Sequence, residues 1–292
     1  KTYDLPLFSK LIGKRHVGKL PSKSLHAAYP SLREHGKDVT VLFFPGCMGD
    51  KYYTTMGDAC IRALRYHNVG VVLPSGLTCC GLPALASGDH DGFVQETTQN
   101  LNVIAKEFGL GNIDYIVTPC GSCTATLKEW WLHYASDFPS DKRELIKTVA
   151  EKTMDINAFL IDVMHVDTLE PAAKPSGTKK RVTFHDSCHL KKSCGVSSQP
   201  RKIIAMNPDY ELVEMAEADR CCGCGGSFTL FHYDLSTQIG QRKRENIVKT
   251  GADVVSTGCP ACMLQLSDML SQNGDPVQVK HSIEIYAETL PK

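Results

Sequence analysis

Nothing in this chain is long and apolar enough to cross a bilayer. A spanning helix needs about 20 apolar residues, and the longest runs, such as Val39 to Phe44, are strand-sized. No leader of basic, apolar and small-residue segments is visible either, so membrane association is expected only through a partner. Charge of one sign is also missing. Lysine and arginine number 32 against 32 aspartates and glutamates, which leaves no global field to recruit nucleic acid or an anionic membrane. Gly49, Gly88, Gly109 and Gly111 build neither a GxGxxG turn after a strand nor a P-loop. The chain itself is therefore expected to bind no nicotinamide or flavin. With 292 residues, 42% of them hydrophobic and 22% charged, it otherwise reads as a globular protein of about two domains. The start at Lys1 without methionine reads as a processed or truncated product, or as one part of a longer polypeptide.

What the chain has in excess is cysteine: 13 residues, an odd number, with adjacent pairs and CxxC pairs. That pattern fits metal ligation in a reducing, cytoplasmic setting better than a disulfide framework. The central stretch is Asp219-Arg220-Cys221-Cys222-Gly223-Cys224-Gly225-Gly226, and Cys79-Cys80-Gly81 carries the same signature. Neighbouring cysteines rarely reach disulfide geometry, but they suit two thiolates aimed at one metal, with glycine letting the backbone turn tightly. Each CCG has a lone cysteine upstream, Cys47 or Cys188, and a CxxC downstream, Cys120/Cys123 or Cys259/Cys262. The intervening segments are 31 and 39 residues in the first copy, 32 and 36 in the second. An internal duplication explains this order.

Periodicity sets each group at a strand-to-helix junction. Residues 1–38 read as a basic arm or connector, rich in lysine and arginine from Lys10 to Lys37. In the first domain, 39–170, strands are expected at Val39–Phe44, Val71–Leu73 and Ile113–Val117, with helices over Met56–Leu64, Phe93–Phe108 and from Thr124 on. A Pro-, Gly- and Lys-rich linker, 171–180, separates it from the second domain, 181–292. There the strands are Arg181–Phe184, Tyr210–Met215 and Ala252–Ser256, alternating with helices at Pro200–Met206, Leu235–Val248 and Met263–Leu270. Both halves close on helical tails, Ile156–Val163 and Ile283–Leu290. Such alternation predicts an α/β fold: two duplicated βαβ-type, Rossmann-like domains with parallel sheets and metal sites at the C-terminal ends of the strands. Three strands per copy would then bring five distant thiols to one rim.

Thiolate clusters select zinc, copper(I) or iron–sulfur centres. One zinc or one cubane cluster is saturated by four protein ligands; five per repeat favour a larger or less regular iron–sulfur centre, or one thiolate bridging or free to react. Four ligands plus a packing cysteine is the plainer reading, but it needs the same redundancy twice. A thioredoxin-like dithiol at Cys259-Pro260-Ala261-Cys262 has no use for the CC pair that accompanies it. Cys60, on a helix with Ala63 and Leu64, is expected to be buried filler, and Cys194 and Cys224, without first-half counterparts, to be structural. His185 and His189 flank Cys188. They are candidate catalytic proton donors, since cleaving a disulfide consumes protons; the plainer reading has them bonded within the turn, or to cluster sulfur where they tune its potential.

At these residues the sequence resembles the cysteine-rich CCG-domain family, whose pattern is a lone Cys, CCG and CxxC, usually duplicated. The likeness spans Val39 to Leu290. Known members are the B subunit of heterodisulfide reductase and the iron–sulfur subunits of glycolate and lactate oxidases. His185-Asp186-Ser187-Cys188-His189-Leu190, Asp219-Arg220-Cys221-Cys222-Gly223 and Gly251-Ala252-Asp253-Val254-Val255 lean towards the glycolate/lactate group. The resemblance implies Cys47, Cys79, Cys80, Cys120 and Cys123, then Cys188, Cys221, Cys222, Cys259 and Cys262, as ligands of [4Fe–4S] clusters, one per repeat, noncubane as in the heterodisulfide reductase branch. Zinc in one repeat stays open by ligand type. The implied function is electron transfer between a flavin-dependent 2-hydroxyacid (lactate or glycolate) oxidase and a quinone or thiol/disulfide acceptor. The alternatives are a heterodisulfide-reductase-like subunit that cleaves a disulfide between two clusters, and a zinc-stapled interaction protein. Implied partners are a flavoprotein subunit, a ferredoxin-like iron–sulfur domain or subunit, whose four-cysteine runs are absent here, and a membrane-bound quinone-linked protein. No nucleic acid is implied.

Overall fold

The computed structural model describes residues 2–4, 14–168 and 177–291. A small antiparallel ribbon pairs β1 (Thr2–Asp4) with β2 (His16–Gly18). Two four-stranded parallel sheets follow. The first contains β3 (Thr40–Phe43), β4 (Gly70–Val72), β5 (Tyr115–Thr118) and β6 (Thr153–Asp155), in the order β4-β3-β5-β6. The second contains β7 (Lys180–His185), β8 (Tyr210–Leu212), β9 (Val254–Thr257) and β10 (Gln278–His281), in the order β10-β9-β7-β8. Read from the second strand of each half, the two orders are the same. The fold is α/β with duplicated units, as the strand–helix alternation predicts.

Each half holds one strand more than the three expected. β6 and β10 are three and four residues long and carry Thr153, Asp155, Gln278 and Lys280. Edge strands this short and polar have no apolar run to betray them. The strand expected over Tyr210–Met215 stops at Leu212. The tail expected over Ile156–Val163 is one helical turn, Ile156–Ala158, continued as a π-helical turn, Phe159–Val163. The linker expected over 171–180 falls outside the described residues as far as 176.

The helices that cover the sheets bury their periodic faces. Thr54–Tyr66 buries Met56, Cys60, Ile61 and Leu64, and Pro260–Gln272 buries Met263, Leu266 and Met269. The halves interlock. One core joins Val41, Met56 and Leu64 to Ile203, Ile283 and Tyr286; another joins Phe44 and Trp131 to Val255 and Leu266. The C-terminal helix Ser282–Ala287 lies against Thr54–Tyr66, where Thr55 donates to Glu284 (2.7 Å) and Arg62 to the Ala287 carbonyl (3.0 Å).

At the carboxyl ends of the strands the rims meet. Gly121 N–H donates to the Gly258 carbonyl (3.0 Å). His281 bridges them as well. Its Nδ1 accepts from Ile283 N–H (3.2 Å), so Nε2 carries the proton and donates to the Pro119 carbonyl (2.8 Å). Residues 14–38 run along both halves: His16 N–H donates to Asp268, Gly18 N–H to Tyr52, and Arg33 pairs with Glu107. Among the described residues no helix is long and apolar enough to span a membrane.

Candidate metal centre

In an open parallel sheet, ligands collect where the strand order reverses, beyond the carboxyl ends. Here that point lies between β3 and β5 in one half and between β7 and β9 in the other. The chain leaving β3 enters helix Gly46–Lys51 at Cys47. The chain leaving β5 enters helix Gly121–Ala125, which Cys120 caps. In the second half, Cys188 follows β7 and leads into the π-helical turn His189–Ser193, and Cys259 caps helix Pro260–Gln272 after β9. The CC pairs arrive on the turns between. Glycine ends both pairs for a steric reason. Gly81 and Gly223 hold φ near +90°, and a Cβ there would come within 2.8 Å of the Phe93 ring or 2.4 Å of the Ser236 carbonyl.

These turns are held from beneath. Asn100 donates to the Cys79 carbonyl (2.7 Å) and accepts from Thr78 N–H (2.8 Å), and Trp131 Nε1 donates to the Cys80 carbonyl (3.0 Å). In the second half, Ser236 Oγ donates to the Gly223 carbonyl (2.8 Å). The fully buried Lys243 donates to the carbonyls of Glu217 and Ala218.

All ten predicted cysteines line one cavity of about 550 Å³. Cys47 Sγ lies 3.6 Å from Cys79 Sγ. From there the thiols interact in succession: Cys79 with Cys80, Cys80 with Cys123, Cys123 with Cys120. Cys120 then interacts with Cys259 of the other half, Cys259 with Cys262, Cys262 with Cys222, and Cys222 with Cys221. The two sets form one run of sulfur across the junction. Cys188 lines the same cavity near its exposed side.

Protonation along this run is divided. The Cys47 and Cys80 thiols hold Cys79 down at about 3, while the neighbouring Cys79 pushes Cys47 far up. In the second half, Cys222 is held low by Cys221 and Cys262, and Cys259 by Cys120 and Cys262; their partners Cys221 and Cys262 are pushed up. A low-pKa thiolate shared among thiols is the donor set a soft cation displaces protons from. The residues present therefore fit a thiolate-bound metal centre.

The two histidines differ. His189 Nδ1 lies 3.1 Å from Ser122 Oγ, which lies 3.5 Å from Cys259 Sγ. Ser122 thus links a second-half histidine to a second-half thiol from the first half's CxxC; in the sequence it is only a spacer. His185 is 1% exposed, and its Nδ1 sits 3.1 Å from the Ala218 carbonyl. Its ring, Cys222 and Cys262 place their ligating atoms within 4.8 Å of one another. Cys224, expected to be structural, is buried on the cavity wall; only its position one residue beyond the CCG motif signals this. Cys60 lies in the core and Cys194 packs beside Leu190, both away from the cavity.

The chain belongs to the CCG cysteine-rich domain family, which it matches twice, over residues 41–128 and 182–267. It is 31% identical to lactate utilization protein A of Geobacillus sp. strain WCH70 across 84% of this chain and 98% of that protein. It is 34% identical to the B subunit of the CoM/CoB fumarate reductase of Methanothermobacter marburgensis, across 83% of this chain but only 45% of that protein. An uncharacterized iron–sulfur protein of Methanococcus maripaludis is 34% identical across 88% of this chain and 47% of its own length. Among solved structures, glutamate racemase RacE1 of Bacillus anthracis aligns with a TM-score of 0.36 and 14% identity, over 87% of this chain and 80% of that one. That likeness is too distant to bear on function.

Proposed function

We propose that the chain is an iron–sulfur electron-transfer subunit of an oxidoreductase system. It carries electrons between a flavin-dependent lactate or glycolate oxidase partner and a quinone or thiol/disulfide acceptor, in the cytoplasm or at the membrane through that partner. The observation that carries this reading is the single cavity onto which both five-cysteine sets open, with Cys120 beside Cys259. The relatives named for lactate utilization and fumarate reduction support it. Cys47, Cys79, Cys80, Cys120 and Cys123 would hold one cluster, and Cys188, Cys221, Cys222, Cys259 and Cys262 the other; each would supply one-electron chemistry. The chain's own residues bring the two sets side by side and screen them behind Met48, Leu82, Leu85 and Trp130. Residues 39–170 and 181–292 are the two domains of this reading.

A second reading, disulfide cleavage in the cavity, is favoured by one contact. Splitting a disulfide into two thiols takes two electrons and two protons. His189 and Ser122 form a short proton path to the cavity floor at Cys259. Iron and acid-labile sulfide analysis with EPR on anaerobically prepared protein tests the first reading. A colourless zinc protein without sulfide would refute it. Turnover of a disulfide by the chemically reduced protein, with no flavoprotein present, would decide for the second.

A further inference from the structure

The two halves offer different atoms at one equivalent point. Three residues before the lone cysteine, and beside the strand that leads to the CxxC, the first half carries Phe44 and the second His185. Both are buried: Phe44 is 0% exposed and His185 1%. Phe44 brings no donor atom.

The state of the His185 ring follows from its neighbours. The Ala218 carbonyl can only accept, so Nδ1, 3.1 Å away, carries the proton. Nε2 is the ring nitrogen left to offer a lone pair to a metal. It is buried and makes no hydrogen bond to nitrogen or oxygen. The group it interacts with is the Cys222 thiol, and a buried ring nitrogen with so weak a partner is costly unless something stronger fills the place. The Nε2 side faces Cys222 and Cys262, and the three ligating atoms lie within 4.8 Å of one another. Donors around a tetrahedral metal at Zn–N of about 2.0–2.1 Å and Zn–S of about 2.3 Å stand about 3.5–3.8 Å apart, inside that bound. A ring nitrogen ligating while the other N–H donates to a backbone carbonyl is the usual orientation of a metal-bound histidine.

We infer that His185 Nε2 is a metal ligand of the second cysteine set, joining Cys222 and Cys262, so that this half presents a mixed nitrogen–sulfur site and the first an all-sulfur one. This rests on the reading that the cysteine sets hold metal. The assignment gives the second site a neutral nitrogen donor beside its thiolates, which the first site lacks. A borderline cation such as zinc, or an iron atom of a cluster, accepts that donor set.

The test uses the full chain, stripped of metal and reloaded with Zn²⁺ under anaerobic conditions. It reads the X-ray absorption fine structure and the affinity by competition with a chelator. Wild type is expected to show imidazole scattering from a metal-bound histidine beside the sulfur shell. His185→Phe should lose that scattering and weaken one of the two sites at least ~10-fold, since disturbing even a partner of a ligand costs 10–100-fold. Because a buried Phe can unsettle the fold, His185→Gln, which keeps a polar group near Ala218, must give the same loss. His189→Ala must leave the nitrogen signal in place. An all-sulfur shell in wild type, or a nitrogen signal that survives in both His185 variants, would overturn the inference and leave the electron-transfer reading standing. A stripped protein that binds no Zn²⁺ at all would overturn the inference, and the electron-transfer reading would still be decided by iron and sulfide analysis.

Discussion

The two halves share strand order, cysteine order and nearly the same spacing, yet their sites sit in unlike surroundings. The first half backs its sulfurs with Phe44, Asn100 and Trp131, which offer a ring, an amide and an indole N–H but no charge. The second backs its own with His185 and the fully buried Lys243. The closing helices differ in kind as well. Asp155 caps the first, accepting from Asn157 and Ala158 N–H; His281 caps the second, accepting from Ile283 N–H. Duplication has preserved where the thiols arrive and left free what lies behind them. Since net charge and hydrogen bonding set the potential of such centres, two sites of one design need not share a potential.

The largest effect that would break this comparison is loss of one site without the other. Cys222→Ser or Cys221→Ser should abolish one of two cluster signals in EPR and about half of the iron, and Cys80→Ser the other signal. Cys60→Ser should leave both signals intact. It should lower stability by about 1–3 kcal/mol, because its hydroxyl enters a core with no partner at hand. Equal loss of signal from Cys60→Ser and Cys222→Ser would undo the ligand assignment.

The two caps should pull stability in opposite directions with pH. Burial lifts Asp155 from 3.8 to about 6, so the folded state holds a proton the unfolded state has released. Its stabilisation is full below pH 4 and is lost as pH rises through 6. Burial lowers His281 from 6.5 to about 4. There the unfolded state takes up the proton first, so stability is full above pH 6.5 and falls as pH drops towards 4. Each shift corresponds to ~3 kcal/mol. In denaturant titrations of metal-stripped protein the two nearly cancel between pH 4 and 6. Asp155→Asn should expose the His281 slope, with stability rising with pH, and His281→Gln the opposite slope. Equal slopes in both variants would show that the caps do not titrate as described.

A smaller effect sharpens the contrast in charge. Lys243→Met removes an ammonium close to the second set only. The potential of that centre should fall by an amount on the order of 1 kcal/mol, or roughly 40 mV for one electron, with the first centre unchanged in redox titration. Burial lowers the lysine's own pKa, so the difference between variant and wild type should shrink as pH rises.

Much of this architecture could be read from residues alone. The apolar runs before Cys47, Cys120 and Cys259 are strands, and the five-cysteine order set the duplication in register. Reading failed where structure depends on partners distant in sequence. β6 and β10 exist only because a neighbouring strand pairs with them. Ser122 and Lys243 look like a spacer and a surface charge until the second half's turn folds over them. The contact of Cys120 with Cys259 is invisible in either repeat taken singly, since it belongs to the junction between them.

That junction is also the point most open to direct test. EPR of anaerobically prepared protein, taken through stepwise reduction, should show two iron–sulfur signals that broaden or split each other once both centres are paramagnetic, and the splitting should vanish in Cys80→Ser. Two signals that merely add, with no interaction at any level of reduction, would contradict a shared cavity.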